Sequence, residues 1–332
     1  PLLSEDLKHM VVGERMSEGY LMYRDIVDET PPIPAFLYWI LAELFGRSMG
    51  AYFLLSGLLV FLQAILFRMM INKNEVFYEK GDIPALMYAI GIFICFDFLS
   101  LTPSLIALTF VLPAFNGMFR HIKSGINEGD MFATGLFFGL SFLSHQAAIL
   151  FFFCAFFSIL ISKKTSLKYF MLLIVGFFFP VIGIATFFFL ADGFNQFFNY
   201  FLVNFNLLVP QTYEVDLKTI LIIIAPTVFF NIIGVMVALG YRRYIIYQII
   251  SQRILVISYL VILVGLMLMF KSPAENFLLL LPFVAYFNTH FFMIFGKGGF
   301  GGFVLALYLG YSLRIIYSYL PVPYLEADFL NY

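Results

Sequence analysis

The sequence predicts an all-α, polytopic transmembrane helical bundle, and three observations lead there. Hydrophobic residues make up 62% of the 332 positions and charged residues only 12%, against about 25% charged in a soluble domain. Apolar stretches long enough to cross about 30 Å of hydrocarbon as helix recur along the chain. Between them Lys and Arg collect in alternate loops, as expected where the cytoplasmic side of a bilayer retains positive charge.

In chain order, crossings are predicted near 50–70, 84–100, 104–119, 168–190, 218–240, 254–270, 277–295 and 301–319. Residues 131–161 are too long for one ordinary span and carry the polar tripeptide Ser144-His145-Gln146 in the middle. Two short crossings joined by a turn there are expected, which makes about ten, with an eleventh expected ahead of Pro1. Loops 68–83, 120–130, 162–168, 241–253 and 296–299 hold 12 of the 19 Lys and Arg and leave 15 of the 20 acids on the other side. Those loops are read as cytoplasmic. The outer face then carries the acidic front segment, the Leu101–Ser104 turn, Ser144-His145-Gln146, the 192–217 loop, Lys271 to Asn276 and the tail. The chain reads as a single integral membrane domain, 1–332. Residues 1–49 are an outer acidic loop with an interfacial helix, 50–320 the transmembrane bundle, and 321–332 an outer tail.

The interfacial helix is assigned to residues 33–45, which follow Pro31-Pro32, end at Gly46 and contain Tyr38 and Trp39. They are too short to span, and Trp and Tyr favour the headgroup level. The stretch 192–216, with Phe194, Phe197, Phe198, Tyr200, Phe201 and Phe205, has two readings: a second interfacial helix, or aromatic packing at the membrane surface.

Several function classes are set aside. The formal charge is −1, and no basic stripe or recognition motif marks a nucleic-acid partner. Cys95 and Cys154 sit in apolar runs and read as buried small hydrophobes. His9, His121, His145 and His290 lack zinc-type spacing, so no metal site is assigned. The glycine-rich stretch 296–302 has one Lys but not the strand-to-helix setting of a phosphate loop, and reads as a short cytoplasmic hinge. The 45 Phe residues read as core and lipid-facing bulk.

The front segment carries an ordered set of features: Glu5-Asp6, Gly19, Tyr23-Arg24-Asp25, Pro31-Pro32, and Tyr38-Trp39 through Leu44-Phe45-Gly46. In order and spacing it resembles the GT-C membrane glycosyltransferases, in particular the branch of protein mannosyltransferases and aminoarabinose transferases. Members of that branch have an acidic pair after the first membrane helix, a glycine, an aromatic-Arg-Asp step, a Pro-Pro and an interfacial helix ending in Leu-Phe-Gly. Gly139 through His145 is similar to a later run of the family in which a cation often stands where His145 is here. Lys271 through Pro282 is similar to a late segment in which a basic residue precedes a Leu-Leu-Pro helix. The family's usual acidic order is Asp-Glu, and here it is Glu5-Asp6; a second register would match Gly13-Glu14 instead and lose the first carboxylate.

The resemblance implies transfer of a sugar from a polyprenyl phosphate to an envelope lipid, glycan or protein on the extracytoplasmic face of a bacterial inner membrane. It implies Asp6, with Glu5 beside it, as the base that takes the acceptor proton, a role worth typically 10²- to 10⁴-fold. Charge developing on the leaving phosphate needs cations, for which Lys271, Arg314 and His145 are the candidates, with Arg24 and Asp25 also at the substrate-binding face. No cofactor is obligatory beyond the donor itself; a divalent metal is compatible but has no residues assigned to it. Each residue also has a plainer role. Glu5 and Asp6 would be solvated loop acids, Arg24 and Asp25 a structural ion pair, and His145 a neutral, hydrogen-bonded turn residue. Asp28 and Glu29 would cap the interfacial helix, Asp97 would pair with one of the cations, and Lys271 and Arg314 would snorkel to headgroups. The expected partners are membrane lipids and the lipid-linked sugar. Two competing functions stay open: a non-catalytic GT-C-fold subunit or scaffold of a membrane protein complex, and a lipid or sugar transporter. The transporter reading expects paired broken helices at mid-membrane, and Pro103, Pro113, Pro180 and Pro226 do not fall into two matching halves.

Overall fold

The computed structural model describes residues 2–95, 100–124, 128–161, 166–203, 217–240, 244–268, 278–295 and 302–311. Their regular structure is all helix, with no strand among the described residues. A front pair, α1 (Leu2–Ser17) and α2 (Pro32–Phe45), precedes α3 (Met49–Lys73), α4 (Ile83–Cys95), α5 (Pro103–Ser124), α6 (Glu128–Ser144) and α7 (Ile149–Ile161). Next come α8 (Leu167–Leu190), the single turn α9 (Phe194–Phe197), α10 (Leu217–Gly240), α11 (Ile246–Leu268) and α12 (Leu281–Phe295), then α13 (Gly302–Tyr311). Four of these, α3, α5, α8 and α11, are long and apolar enough to cross a membrane, and six shorter stretches are apolar but only 10–17 residues long. By length and composition this is an all-helical membrane protein.

Three boundaries differ from the sequence reading. The acidic front segment, expected as a loop, is helical from Leu2 to Ser17, a run with no proline and one glycine. Arg68, Lys73, Arg120, Lys123, Glu128, Asp130, Lys168 and Arg253, expected in loops, lie inside helical turns. Helical hydrogen bonds do not require hydrocarbon around them, so a helix runs past its apolar stretch until something caps it, and long cationic side chains reach for the polar layer. The expected span near 254–270 accordingly begins at Ile246. The break inside 131–161 lies where the tripeptide predicts: α6 stops at Ser144, a 3₁₀ turn covers Gln146–Ala148, and α7 follows.

Helices α6 and α8 meet along glycines. A Cβ on Gly135 would lie 2.2 Å from the Leu173 carbonyl oxygen, one on Gly139 2.3 Å from that of Phe177, and one on Gly176 2.2 Å from that of Phe132. Lipid tails give apolar side chains no reason to leave them, so close backbone packing through small residues holds such helices together. Polar knots do the rest. In α3 the buried Gln63 donates to the Leu105 carbonyl (2.7 Å) and to Thr109 Oγ1 (2.7 Å), and accepts from the Tyr88 hydroxyl (2.9 Å), tying α3, α4 and α5. Phe115 lies at the centre of the aromatic core, edge-on to Phe138, Phe151 and Phe283.

The seam gives a direct test. Gly135→Leu drives a side chain into the Leu173 backbone and should cost about 1–3 kcal/mol or more, read as a lowered thermal unfolding temperature in detergent. Gly183→Leu, with no atom near its Cβ, should leave it unchanged; equal effects from the two would remove the glycine seam as the cause.

Candidate functional site

The candidate site is the end of the bundle where the front pair docks. Helices α1 and α2 cross at Gly13, whose absent Cβ would lie 2.4 Å from the Tyr38 carbonyl oxygen. His9 stacks on Tyr38 at 4.8 Å, and Tyr52 stacks on it at 5.9 Å. The Tyr38 hydroxyl donates to the Leu101 carbonyl at 2.7 Å, which pins α2 to the turn before α5. Glu14, the acid of the alternative register, pairs with Arg47 at 2.7 Å, so it serves to clamp the two ends of the pair.

Between the two helices, residues 18–30 fold back on themselves. Gly19 (φ +94°) lies in the turn that follows α1, and Tyr23 is left-handed at φ +68°. A tyrosine in that region is uncommon, and here its ring is fully buried. Its hydroxyl donates to the Thr30 carbonyl at 2.6 Å, and burial raises its pKa well above the ordinary value. Arg24 grips Asp25 through two bonds, Nη2 to Oδ2 at 2.9 Å and Nε to Oδ1 at 3.1 Å. Asp25 also accepts from the Leu21 amide at 2.8 Å. The Arg24 hydrogen bond, with that amide, holds the Asp25 carboxyl below the usual carboxylate range. Arg24 Nη1 then donates to the Ala191 carbonyl at 3.1 Å, so the pair braces the loop against the end of α8. Asp28 does not cap α2. It accepts from the Thr30 amide at 2.7 Å and from the Thr30 hydroxyl, and meets Lys8 at 3.1 Å, while α2 starts at Pro31-Pro32 with no side-chain cap. Proline at the first helical positions leaves fewer amides in need of one.

An aromatic ladder carries this loop to the other turns. Tyr23 meets Phe188 edge-on at 5.2 Å, Phe188 stacks on Phe197 at 4.9 Å, Phe197 on Phe201 at 5.5 Å, and Phe201 leans on Phe142 at 5.5 Å. Gln146 Nε2 donates to the Phe201 carbonyl at 2.5 Å. Of 192–216, the described part is helical, one turn of α9 running into a π-helical turn, Phe198–Val203; it packs through buried Phe197 and Phe201 and leaves Phe194 and Phe198 exposed. The remainder, 204–216, lies outside the described residues.

His145 sits at this end, as the N-cap of the 3₁₀ turn, with Nδ1 accepting from the Ala147 amide at 3.2 Å. Burial pushes its pKa down to about 4. With that shift and Nδ1 accepting a bond, the ring is neutral at ordinary pH with no anion beside it among the described residues, and its geometry fits the plain turn role. Glu5 and Asp6 lie in the backbone of α1, but their side chains fall outside the described residues, as do Asp97, Lys271 and Arg314. Among the described residues no group of three or more His, Cys, Asp or Glu could hold a metal ion. Cys154 is buried and free.

The ion pairs respect the charge partition. Lys8–Asp28, Arg15–Glu18, Arg24–Asp25 and Arg47–Glu14 join front residues to one another. Arg68–Asp82, Lys80–Glu75, Arg120–Asp130, Lys123–Glu75 and Lys168–Glu128 join residues of the loops read as cytoplasmic. The sequence reading missed Tyr23 and Gln146 as the side chains that join the turns; their signal was a buried-type aromatic beside Arg24-Asp25 and a glutamine beside a membrane turn. The chain matches no protein-family model, no curated protein and no solved structure.

Two outcomes follow. Tyr23→Phe leaves the buried Thr30 carbonyl without its donor, which should cost about 1–3 kcal/mol and speed proteolytic cleavage within 18–30. His145, with a folded pKa below its ordinary 6.5, binds fewer protons folded than unfolded, so its contribution to stability is complete above about pH 6.5 and lost as pH falls toward 4. Thermal unfolding across that window should flatten in His145→Gln, and an unchanged profile would refute the shift.

Proposed function

We propose that the chain is an integral membrane glycosyltransferase of the GT-C type, taking a sugar from a polyprenyl phosphate at the end built by α1, α2 and the turns at 144–146 and 191–203. On this reading α4, α6, α7, α10, α12 and α13 join the four long helices as ten crossings, and the site faces outward from a bacterial inner membrane. One observation supports it above the rest. The front segment, the Leu101 turn, the Ser144-His145-Gln146 turn and the residues after Asp192, far apart in sequence, are joined by side-chain contacts at one end. That is the arrangement an acceptor base on the front segment needs if it is to work on a lipid-borne donor.

In the proposed reaction Asp6, with Glu5 beside it, takes the proton from the acceptor hydroxyl as its oxygen attacks the anomeric carbon of the sugar. The bond from that carbon to phosphate breaks, and the polyprenyl phosphate leaves with the bonding electron pair. Lys8, Arg15, Arg24 and Arg47 each face a carboxylate of the front segment, while Lys271 and Arg314, the cations the resemblance points to, would hold the leaving phosphate. Arg offers it a bidentate fork and Lys a point charge.

That same pairing favours one second reading, a non-catalytic subunit of a membrane complex, in which the front charges serve only to hold α1 on α2. The two readings part on one experiment. Asp6→Asn with Glu5→Gln should lower sugar transfer from a polyprenyl-phosphate donor in reconstituted membranes by about 10²- to 10⁴-fold, with an unchanged unfolding temperature. Full transfer in that variant removes the base; no transfer from the wild-type chain, together with copurification in fixed stoichiometry with another membrane protein, selects the subunit.

A further inference from the structure

At the far ends of α3 and α5, away from the front pair, residues 74–82 form a strap whose first part is locked to α11 and α12. Gln248 Nε2 donates to the Glu75 carbonyl at 2.7 Å and the Phe77 carbonyl at 3.1 Å, and Gln252 Nε2 to the Val76 carbonyl at 3.3 Å. Phe77 stacks on Tyr286 at 4.9 Å and stands edge-on to His290 at 4.6 Å. Gln252 Oε1 in turn accepts from the Tyr286 hydroxyl at 2.5 Å. With three successive carbonyls held inward, Glu75 adopts φ +49°, a left-handed conformation that costs energy in a residue with a side chain. The lock sets its carboxylate among cations. Oε2 lies 3.0 Å from Lys123 Nζ and accepts from the Tyr247 hydroxyl at 3.2 Å, and Oε1 lies 3.5 Å from Lys80 Nζ. Lys123 also donates to the Lys73 carbonyl at 3.3 Å and lies 5.9 Å over the Tyr247 ring. The Lys123 bond, with that of Tyr247, holds the Glu75 carboxyl below the usual range.

We propose that this cluster binds the phosphate of an anionic phospholipid, with Lys80, Lys123 and Tyr247 as its donors and Glu75 as the internal carboxylate that engages the same donors when no lipid is bound. Two ammonium groups and a phenol converging on one oxyanion suit a phosphate at least as well as a carboxylate. The cluster is open to such a ligand, since the Lys80 side chain is 65% exposed. It lies at the polar ends of α3, α5 and α11, three of the four helices able to cross a membrane, which is where headgroup phosphates lie. Exposed Tyr78 and Tyr247 stand at the same level, as interfacial tyrosines do. Arg68, Arg120 and Lys168 lie at that end too, each beside an acid, and the loops read from the sequence as cytoplasmic carry 12 Lys and Arg against five acids; such juxtamembrane cations favour an anionic leaflet. The inference is independent of the proposed transferase activity.

The test uses the purified full chain in neutral detergent, titrated with phosphatidylglycerol or phosphatidylcholine and followed by native mass spectrometry and thermal unfolding. Phosphatidylglycerol should bind and protect in preference to phosphatidylcholine. Lys80→Ala with Lys123→Ala should lower that preference on the order of twentyfold, about fivefold for each lysine. Glu75→Gln should raise it, because the competing carboxylate loses its charge. Arg47→Ala, at the other end, should leave it alone. Inorganic phosphate should give no protection. The proposal fails if the folded double-lysine variant keeps the preference, if Glu75→Gln leaves it unchanged or lowers it, if Arg47→Ala lowers it equally, or if inorganic phosphate protects as well as the lipid. Should the double-lysine variant not fold, the Glu75→Gln result decides.

Discussion

Hydrocarbon offers a polar side chain nothing to bond with, so an amide or hydroxyl that turns away from water is stabilised by a partner inside the protein. The interior is arranged by that preference. Gln63 unites three helices because its amide has two donor positions and an acceptor to satisfy, and Leu105, Thr109 and Tyr88 supply the matching groups. Gln252 does the same between the strap, α11 and α12. Thr227 and Tyr308 meet at 3.0 Å and join α10 to α13. Polar links of this sort fix which helix faces which, a choice that apolar contact alone leaves loose.

Much of the helical plan was legible because hydropathy reports the solvent directly: long apolar runs became helices, and the polar tripeptide at 144–146 became the break. Helix ends were less legible. Arg253 and Lys168 read as loop residues because charge stops an apolar count, yet charge does not stop a helix. The front segment misread as loop for a related reason, since seven acids before Pro31 suggested solvent while the absence of proline from Leu2 to Ser17 left the backbone free to coil.

The site was legible in its pieces and not in its joints. Arg24-Asp25 emerged as the bracing ion pair the sequence allows, with Ala191 as a third member that no local pattern could name, because it lies 167 positions away. His145 resembled a cation by position, but charge depends on surroundings, and a buried imidazole beside an amide donor stays neutral. Asp28 stood at cap distance from α2, and Thr30 and Lys8 claimed it instead. Tyr23 was visible only as the aromatic member of a short step; that its ring starts a ladder through Phe188, Phe197 and Phe201 is a property of how three turns stack.

The glycine seam has a consequence for traffic around the molecule. Where the α6 and α8 backbones touch through Gly135, Gly139 and Gly176, no acyl chain fits between them, and the shared wall they make is continuous over two helical turns. A hydrophobic tail approaching from the bilayer would have to enter along some other part of the perimeter, so the seam sets a closed sector in the path of any lipid that reaches the interior sideways.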